Sequence, residues 1–320
     1  MITFITTFKP FKPPFDTIQL NALKSWLRFC PPCEIVVIGA EEGVKGAIGH
    51  MPYVTMIPSV KRSAFGAPLL DDFIRTGESV AKHELICLVN GDIIIADDIL
   101  KVVKTVKKRF NKRFLLTCRR YDTTIKELIN DNWYEKIKSI REQAIKAYAG
   151  RKPRGADLFV FGKGLFDEIP PFAIGRLVWS RWLIYKGLSM GIPVIDATEA
   201  LTVIHQQHDY AHITESSVQS AFLKGKAGYD AVVLGQDYKH NLTLGGVGAY
   251  FSEDDCDYIL TRHGLSRQTG IRFSLRKLIM TPLLNPSTRR HAILLTKVLF
   301  PSKILRRSIK KSLFKMRILY

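Results

Sequence analysis

The feature that most limits what this chain can fold into is a repeated switch of hydrophobic period. Short β-branched and apolar runs stand at residues 2–8, 34–38 (EIVVI), 54–57, 85–89 (LICLV) and 114–118 (FLLTC). Between them lie helical patterns: 17–29, where Ile18, Leu20, Leu23 and Leu27 recur at helical spacing, then 68–81 and about 97–110. Buried-type strands separated by such segments need crossover connections, so the pattern predicts a Rossmann-like α/β fold. Its sheet is mostly parallel, with helices on both faces. Sheets of this kind bind ligands at the carboxyl ends of their strands.

Composition narrows the class. With 46% hydrophobic and 24% charged residues in 320, the chain is neither disordered nor fibrous. No apolar run approaches the about 20 residues of a membrane span. MITFITTFKPFK lacks the basic segment and long apolar stretch of a signal peptide. Five cysteines, an odd number, argue against a disulfide framework, so a reducing, cytoplasmic location is expected. Cys30-Pro-Pro-Cys33 has redox or zinc spacing, but no second pair completes a four-thiolate site, and a rigid turn into the next strand is the simpler reading. Without a signal peptide, Asn241-Leu242-Thr243 is expected to stay unglycosylated.

The net charge of +19 is unevenly placed. Residues 271–320 hold thirteen Lys and Arg and no Asp or Glu, which leaves about +6 for the first 270 residues. The basic character therefore belongs to a tail, and the body need not bind a polyanion. On a helical wheel Leu305, Ile309, Leu313, Met316 and Tyr320 gather in one arc, with Lys303, Arg306, Arg307, Lys310 and Lys311 opposite. A basic amphipathic helix of this kind suits the headgroup plane of an anionic membrane; packing of the apolar stripe on the body is the alternative.

At the end of the fourth apolar run the sequence reads LVNGDIIIADDIL. Asp92, beside Asn90 and Gly91, stands where a carboxylate can hold a divalent cation, and Mg2+ or Mn2+ suits oxygen ligands that include a diphosphate. Asn-Gly between β-rich runs is also a strong hairpin signal, so that reading stays open. A second cluster, His205-Gln206-Gln207-His208-Asp209-Tyr210-Ala211-His212, would place three histidines on one face if helical, the arrangement of a zinc site. The preferred reading is a loop reaching back to the sheet, with a histidine completing an oxygen-rich metal site. Trp179, Trp182 and Tyr185 share one helical face, where core packing is expected of at least two.

Taken in order, the motifs resemble those of bacterial and viral GT-A type glycosyltransferases, which use nucleotide-diphospho-sugars. ITTFKPF is similar to their first strand and nucleotide-binding loop, IQLNALKSW and EIVVIG to their first helix and second strand, FGAPLLDDF to their Gly-x-Pro segment and VNGDIII to their metal-binding DxD-like motif. RGADLFVF, PPFAIGRLVWSRWLIYKG, VIDAT and HQQHDYAH resemble the acceptor-side half, so the likeness spans about residues 2–215.

The resemblance implies a GT-A domain over 1–268, with a nucleotide-sugar half (1–125) and an acceptor half (126–268), followed by the basic helical tail (269–320). Thr6, Thr7 and Phe8 would border the nucleotide, Gly66 and Pro68 would let backbone approach the donor, and Asn90 would sit beside the cation. Asp92 with His205 or His208 would hold Mn2+ or Mg2+. A UDP-sugar is the expected donor, and a glycan or lipid-linked glycan the acceptor. One departure stands out: where the family carries an acid between two tryptophans, this chain has Trp179-Ser180-Arg181-Trp182. A serine without an activating partner is no general base. The role passes to Asp157, in Arg154-Gly155-Ala156-Asp157, with Asp209 in reserve; Asp157 could equally be a turn residue bonding backbone amides.

Two rivals remain at this level. A sugar nucleotidyltransferase would share the sheet and the metal but carries a basic, Gly-rich loop where this chain reads TTFKPFKPPF. A nucleic-acid binder would explain the charge, but the tail lacks interleaved aromatics, and no specific nucleic acid is expected. Residues 216–268, rich in glycine, read as loops and short helices able to close over a substrate.

Overall fold

A computed structural model describes residues 1–130, 132–153, 155–208 and 236–284. Arg154, Asp209, Tyr210, His212 and the tail beyond 284 lie outside the described residues. The elements that position the site are β1 (Ile2–Thr6), α1 (Phe15–Leu27), β2 (Cys33–Ile38), α2 (Val44–Ile48), β3 (Val54–Ile57), α3 (Leu70–Val80), β4 (Leu85–Val89), β5 (Ile93–Ile95), α4 (Ile99–Phe110) and β6 (Leu115–Thr123). After them come α5 (Trp133–Ala147), β7 (Ala156–Gly162), α6 (Trp179–Ser189), β8 (Val194–Asp196), β9 (Val203–Gln206), β10 (Tyr258–Thr261) and β11 (Gly264–Arg267). A last described helix spans Ile271–Leu284.

The main sheet runs β11-β10-β8-β6-β7-β4-β1-β2-β3. Strands β3, β2, β1 and β4 are mutually parallel, as are β6, β8 and β10. Strand β7 is inserted antiparallel between β4 and β6. The mostly parallel sheet with helices on both faces is therefore present. Alternation along each strand explains the near-continuous apolar runs, because both faces are buried. Ile35, Val37, Cys87 and Val89 point to the layer that includes Trp26 of α1 and Val103 of α4. Val36, Ile38, Ile86 and Leu88 point to the opposite layer, with Phe73 of α3 and Trp182 of α6.

Three expectations change. Asn90-Gly91 does not close a hairpin: β4 pairs with β1 and β7, whereas β5 turns away to pair with β9. The 114–118 run extends to Thr123 through a bulge between Thr117 and Arg119; beyond it, Arg119 still pairs with Ala156 of β7, and Arg120–Thr123 pair with β9. A bulge re-aims the strand that carries it. The 216–268 segment, where described, has the expected short helix at 236–245 but also two strands, β10 and β11, that extend the main sheet.

Several polar anchors hold the last elements. Arg119, buried, lies against Asp196, Glu253 and Asp254. Arg276 of the last helix pairs with Asp255, and both are buried. Cys30 and Cys33 are free thiols whose pKa values burial pushes up to about 11 and about 12, so neither has thiolate character near neutral pH.

Candidate active site

The three-stranded patch β6-β9-β5 builds the site. His205 lies in β9 opposite Asp122 of β6 on one side and Ile93 of β5 on the other. A histidine in a strand replaces the helical arrangement that would have lined up three histidines for zinc. Asp92 directly precedes β5, and its position is fixed through its backbone: its carbonyl accepts from the Gln206 backbone N–H and from Gln206 Nε2, each at 3.2 Å. Helix α1 holds β5 from behind, with Trp26 Nε1 donating to Ile93 O at 3.0 Å and Ser25 Oγ accepting from Ile95 N at 3.1 Å.

Gly91 is required by close approach. A Cβ there would stand 2.7 Å from a Phe8 ring carbon and 2.8 Å from the Thr7 carbonyl oxygen. The loop after β1 thus packs directly on the turn that presents Asp92.

His205 Nε2 lies 3.4 Å and His208 Nε2 3.3 Å from Asp92 Oδ2. The ligand atoms of the three side chains fall within 4.8 Å of one another. Asp92 Oδ1 is buried and has no hydrogen-bond partner among the described residues. An orphaned carboxylate oxygen beside two convergent imidazole nitrogens is costly without a cation, so these residues fit a divalent metal ion.

His205 Nδ1 faces Asp122 Oδ1 at 2.9 Å. Burial lowers the pKa of His205, but its hydrogen bonds to Asp122 and Asp92 outweigh that and raise it to about 9. Asp92 moves the other way: burial would raise its pKa, and hydrogen bonds from the two imidazoles hold it well below the usual carboxylate range. The two carboxylates flanking the His205 ring thus favour its protonated form.

A pH dependence follows. The stability that this raised pKa contributes is complete below the ordinary histidine value of 6.5 and is lost as pH rises through about 9. Because a metal must displace that proton, apparent Mn2+ affinity should rise about tenfold per pH unit from neutrality to about pH 9 and then level off. Titration calorimetry in buffers of different ionisation enthalpy checks this; a flat profile with no proton release contradicts it.

The cluster opens onto a cavity of about 690 Å3, within the range of small-molecule sites. Thr7, Phe8, Gly66, Pro68, Asn90 and Asp157 line it along with the metal-type cluster. Thr6 does not: it is fully buried in β1, and its hydroxyl points at the Thr7 carbonyl. Phe8 is 5% exposed and stacks on Trp26, so only an edge meets the cavity.

Gly66, at φ 86, turns a short hairpin in which Ser63 N bonds Ala67 O at 2.8 Å and Leu69 N bonds Lys61 O at 2.9 Å. Asp157, on β7, pairs with Arg120 Nη1, and its carbonyl accepts from Asn90 N at 3.0 Å. Ser180 and Trp179 line the same cavity from the first turn of α6, and both Trp179 and Trp182 are otherwise buried in the core. Val178 caps that helix at φ 93, an uncommon conformation for a β-branched residue.

Sequence reasoning missed several charged groups here. Lys9, Arg62, Arg120 and Arg176 also line the cavity; Arg62 pairs with Glu41 and Arg120 with Asp157, so Lys9 and Arg176 supply the added positive charge near the metal-type cluster. Lys9 is held in place: its backbone N–H donates to Gln19 Oε1 at 2.6 Å, its carbonyl accepts from Gln19 Nε2 at 3.0 Å, and its ammonium lies 4.1 Å from the Phe15 ring centroid. Burial lowers the pKa of Lys9, against the pull of Asp92. The available signal for Arg120 and Asp122 was their alternation, two residues apart, just past an apolar run.

No family model matches the sequence. No curated protein matches it either. Among solved structures, the chain is similar to the mannosyltransferase PcManGT from Pyrobaculum calidifontis, solved with GDP-Man and Mn2+, at 14% identity and a TM-score of 0.43 over 78% of this chain and 72% of that one. It is also similar to S. aureus TarS 1-349, solved with UDP, at 13% identity and a TM-score of 0.31 over 40% of this chain and 38% of that one.

Proposed function

We propose that this protein is a metal-dependent glycosyltransferase that moves a sugar from a nucleotide-diphosphate donor to an acceptor hydroxyl. The observation that carries the reading is the Asp92, His205 and His208 cluster, with its orphaned carboxylate oxygen, lining one cavity at the strand ends together with Asp157. Asp92, His205 and His208 would hold the ion, which when bound stabilises negative charge on a diphosphate leaving group. Of Mn2+ and Mg2+, two imidazole nitrogens favour Mn2+, since Mg2+ keeps mainly carboxylates, phosphates and water. Lys9 and Arg176 add fixed positive charge on the same cavity wall. Asp157 would take the proton of the acceptor hydroxyl.

A UDP-sugar is the favoured donor, and surface glycan or polysaccharide synthesis the setting. A panel of nucleotide sugars, each with Mn2+ and with chelator, tests this by hydrolysis and by thermal stabilisation. Metal-dependent cleavage of one donor class is expected. Consumption of a nucleoside triphosphate with a sugar phosphate instead would indicate a nucleotidyltransferase.

The thirteen cations and absent acids of 271–320 support a second element of the reading: a cytoplasmic protein held at the inner face of the membrane, where a lipid-linked glycan would be met. Each cation near an anionic surface is worth about 1 kcal/mol. The full chain should sediment with anionic vesicles and a chain ending at Pro286 should not; equal binding of the two would remove the tail as anchor.

A further inference from the structure

Behind the metal-type cluster lies a second layer of polar groups that the proposed chemistry does not touch. Asp122 is the cross-strand partner of His205 in the β6–β9 ladder, so the two side chains leave the same face of adjacent strands. The carboxylate is engaged on both oxygens. Oδ1 meets His205 Nδ1 at 2.9 Å and lies 3.1 Å from Arg120 Nε, and Oδ2 accepts from the Tyr148 hydroxyl at 3.0 Å. That hydroxyl also accepts from the Asp122 backbone N–H at 3.3 Å, so one phenol of the helix-terminal loop grips the residue twice. On the far side of the ring, His205 Nε2 points at Asp92 Oδ2.

We propose that Asp122 is a positioning residue: it holds the proton of His205 on Nδ1, and thereby turns the Nε2 lone pair toward Asp92 as a metal ligand, with Tyr148 and Arg120 fixing Asp122 in turn. This rests on the metal site proposed above. A neutral imidazole has one donor and one acceptor nitrogen, and a carboxylate can only accept. With Asp122 on Nδ1, the tautomer with a free Nε2 is therefore selected, and the ligand gains basicity from the negative charge behind it. The bulge in β6 makes this possible by carrying Arg120 and Asp122 off the main sheet and onto β9. Arg120 also pairs with Asp157, so one guanidinium braces both the ligand side and the acceptor side of the cavity.

The test is Mn2+ binding to the full chain, followed by electron paramagnetic resonance, for the wild type, Asp122→Asn, His205→Ala and the double variant. An asparagine keeps the shape but is neutral, and when its amide N–H turns to the ring it imposes the opposite tautomer. Asp122→Asn is expected to weaken Mn2+ binding roughly 10–100-fold, the usual cost of losing an outer partner. Because Asp122 acts through His205, the double variant should bind no more weakly than His205→Ala alone.

Unchanged Mn2+ affinity in Asp122→Asn, or additive losses in the double variant, overturns the inference while leaving the metal site standing. A wild-type chain that binds no Mn2+ overturns both. Should Asp122→Asn fail to fold, as judged by its melting in the absence of metal, Tyr148→Phe carries the same test. It removes only the phenolic O–H, and weaker Mn2+ binding supports the assignment while unchanged affinity overturns it.

Discussion

Asp92→Ala is expected to leave a folded chain with turnover reduced at least ~10²–10³-fold, the scale of losing several kcal/mol of charge stabilisation at a leaving group. Among the described residues Asp92 supplies the only carboxylate of the cluster, and its two oxygens are used unequally: Oδ2 faces both imidazoles, Oδ1 faces none. The alanine variant keeps the turn, because what holds residue 92 in place is its carbonyl bonded to Gln206 and the Gly91 contact with the loop after β1. Circular dichroism should therefore be unchanged while donor cleavage and Mn2+ binding are lost together. Full activity of the variant, or of the wild type in excess chelator, would sink the metal site.

The second large effect is expected at Asp157. Asp157→Asn should lower kcat roughly 10²–10⁴-fold with KM for the donor nearly constant, as removal of a general base does. The carboxylate stands on β7, at the cavity wall, with Arg120 orienting it and its backbone carbonyl tied to Asn90. Asparagine preserves that shape, so an effect confined to kcat separates chemistry from packing. A variant that melts far below the wild type, with activity lost in proportion to unfolding, would assign Asp157 a structural role. Ser180→Asp is the companion. It adds a carboxylate in the first turn of α6, where the helix dipole favours an anion, and on the wall of the same cavity. Increased turnover would show that the cavity accepts a base at that position.

Much of the frame was readable from residues alone because strand and helix signals are local. IVVI and LICLV are apolar through their length because each lies inside the sheet with both faces covered, whereas VTMI, at the sheet edge, is only half-buried and exposes Thr55. The helix announced by Ile18, Leu20, Leu23 and Leu27 is present as α1, with Ile18 and Leu23 buried, Leu20 and Leu27 partly so, and Trp26 completing the buried stripe. Asp92 and His205 could be singled out for the same reason: a carboxylate at a strand end and histidines crowded into eight residues are unusual within their own segments.

What these segments do to one another was not readable. The Asn-Gly turn signal was correct about a turn and silent about where the next strand goes. β5 abandons β4 for a strand more than a hundred residues away, because α1 holds β5 and β4 already has β1 and β7 on its two edges. Nor could spacing place β7 antiparallel inside an otherwise parallel run, or reveal that β10 and β11 complete the edge.

The chain's own order of residues thus determined the strands, the helices, the layering and the separate candidates Asp92, Asp157, His205 and His208, since each depends on neighbours within a turn or two. Only the tertiary structure decided that they share a cavity and that Asp122, 83 residues before His205, stands against its ring. The physical reason is register. A one-residue shift of β9 against β6 would send His205 to the opposite face, and that register is set by the bulge in β6 and by the long-range pairing of β9 with both β6 and β5.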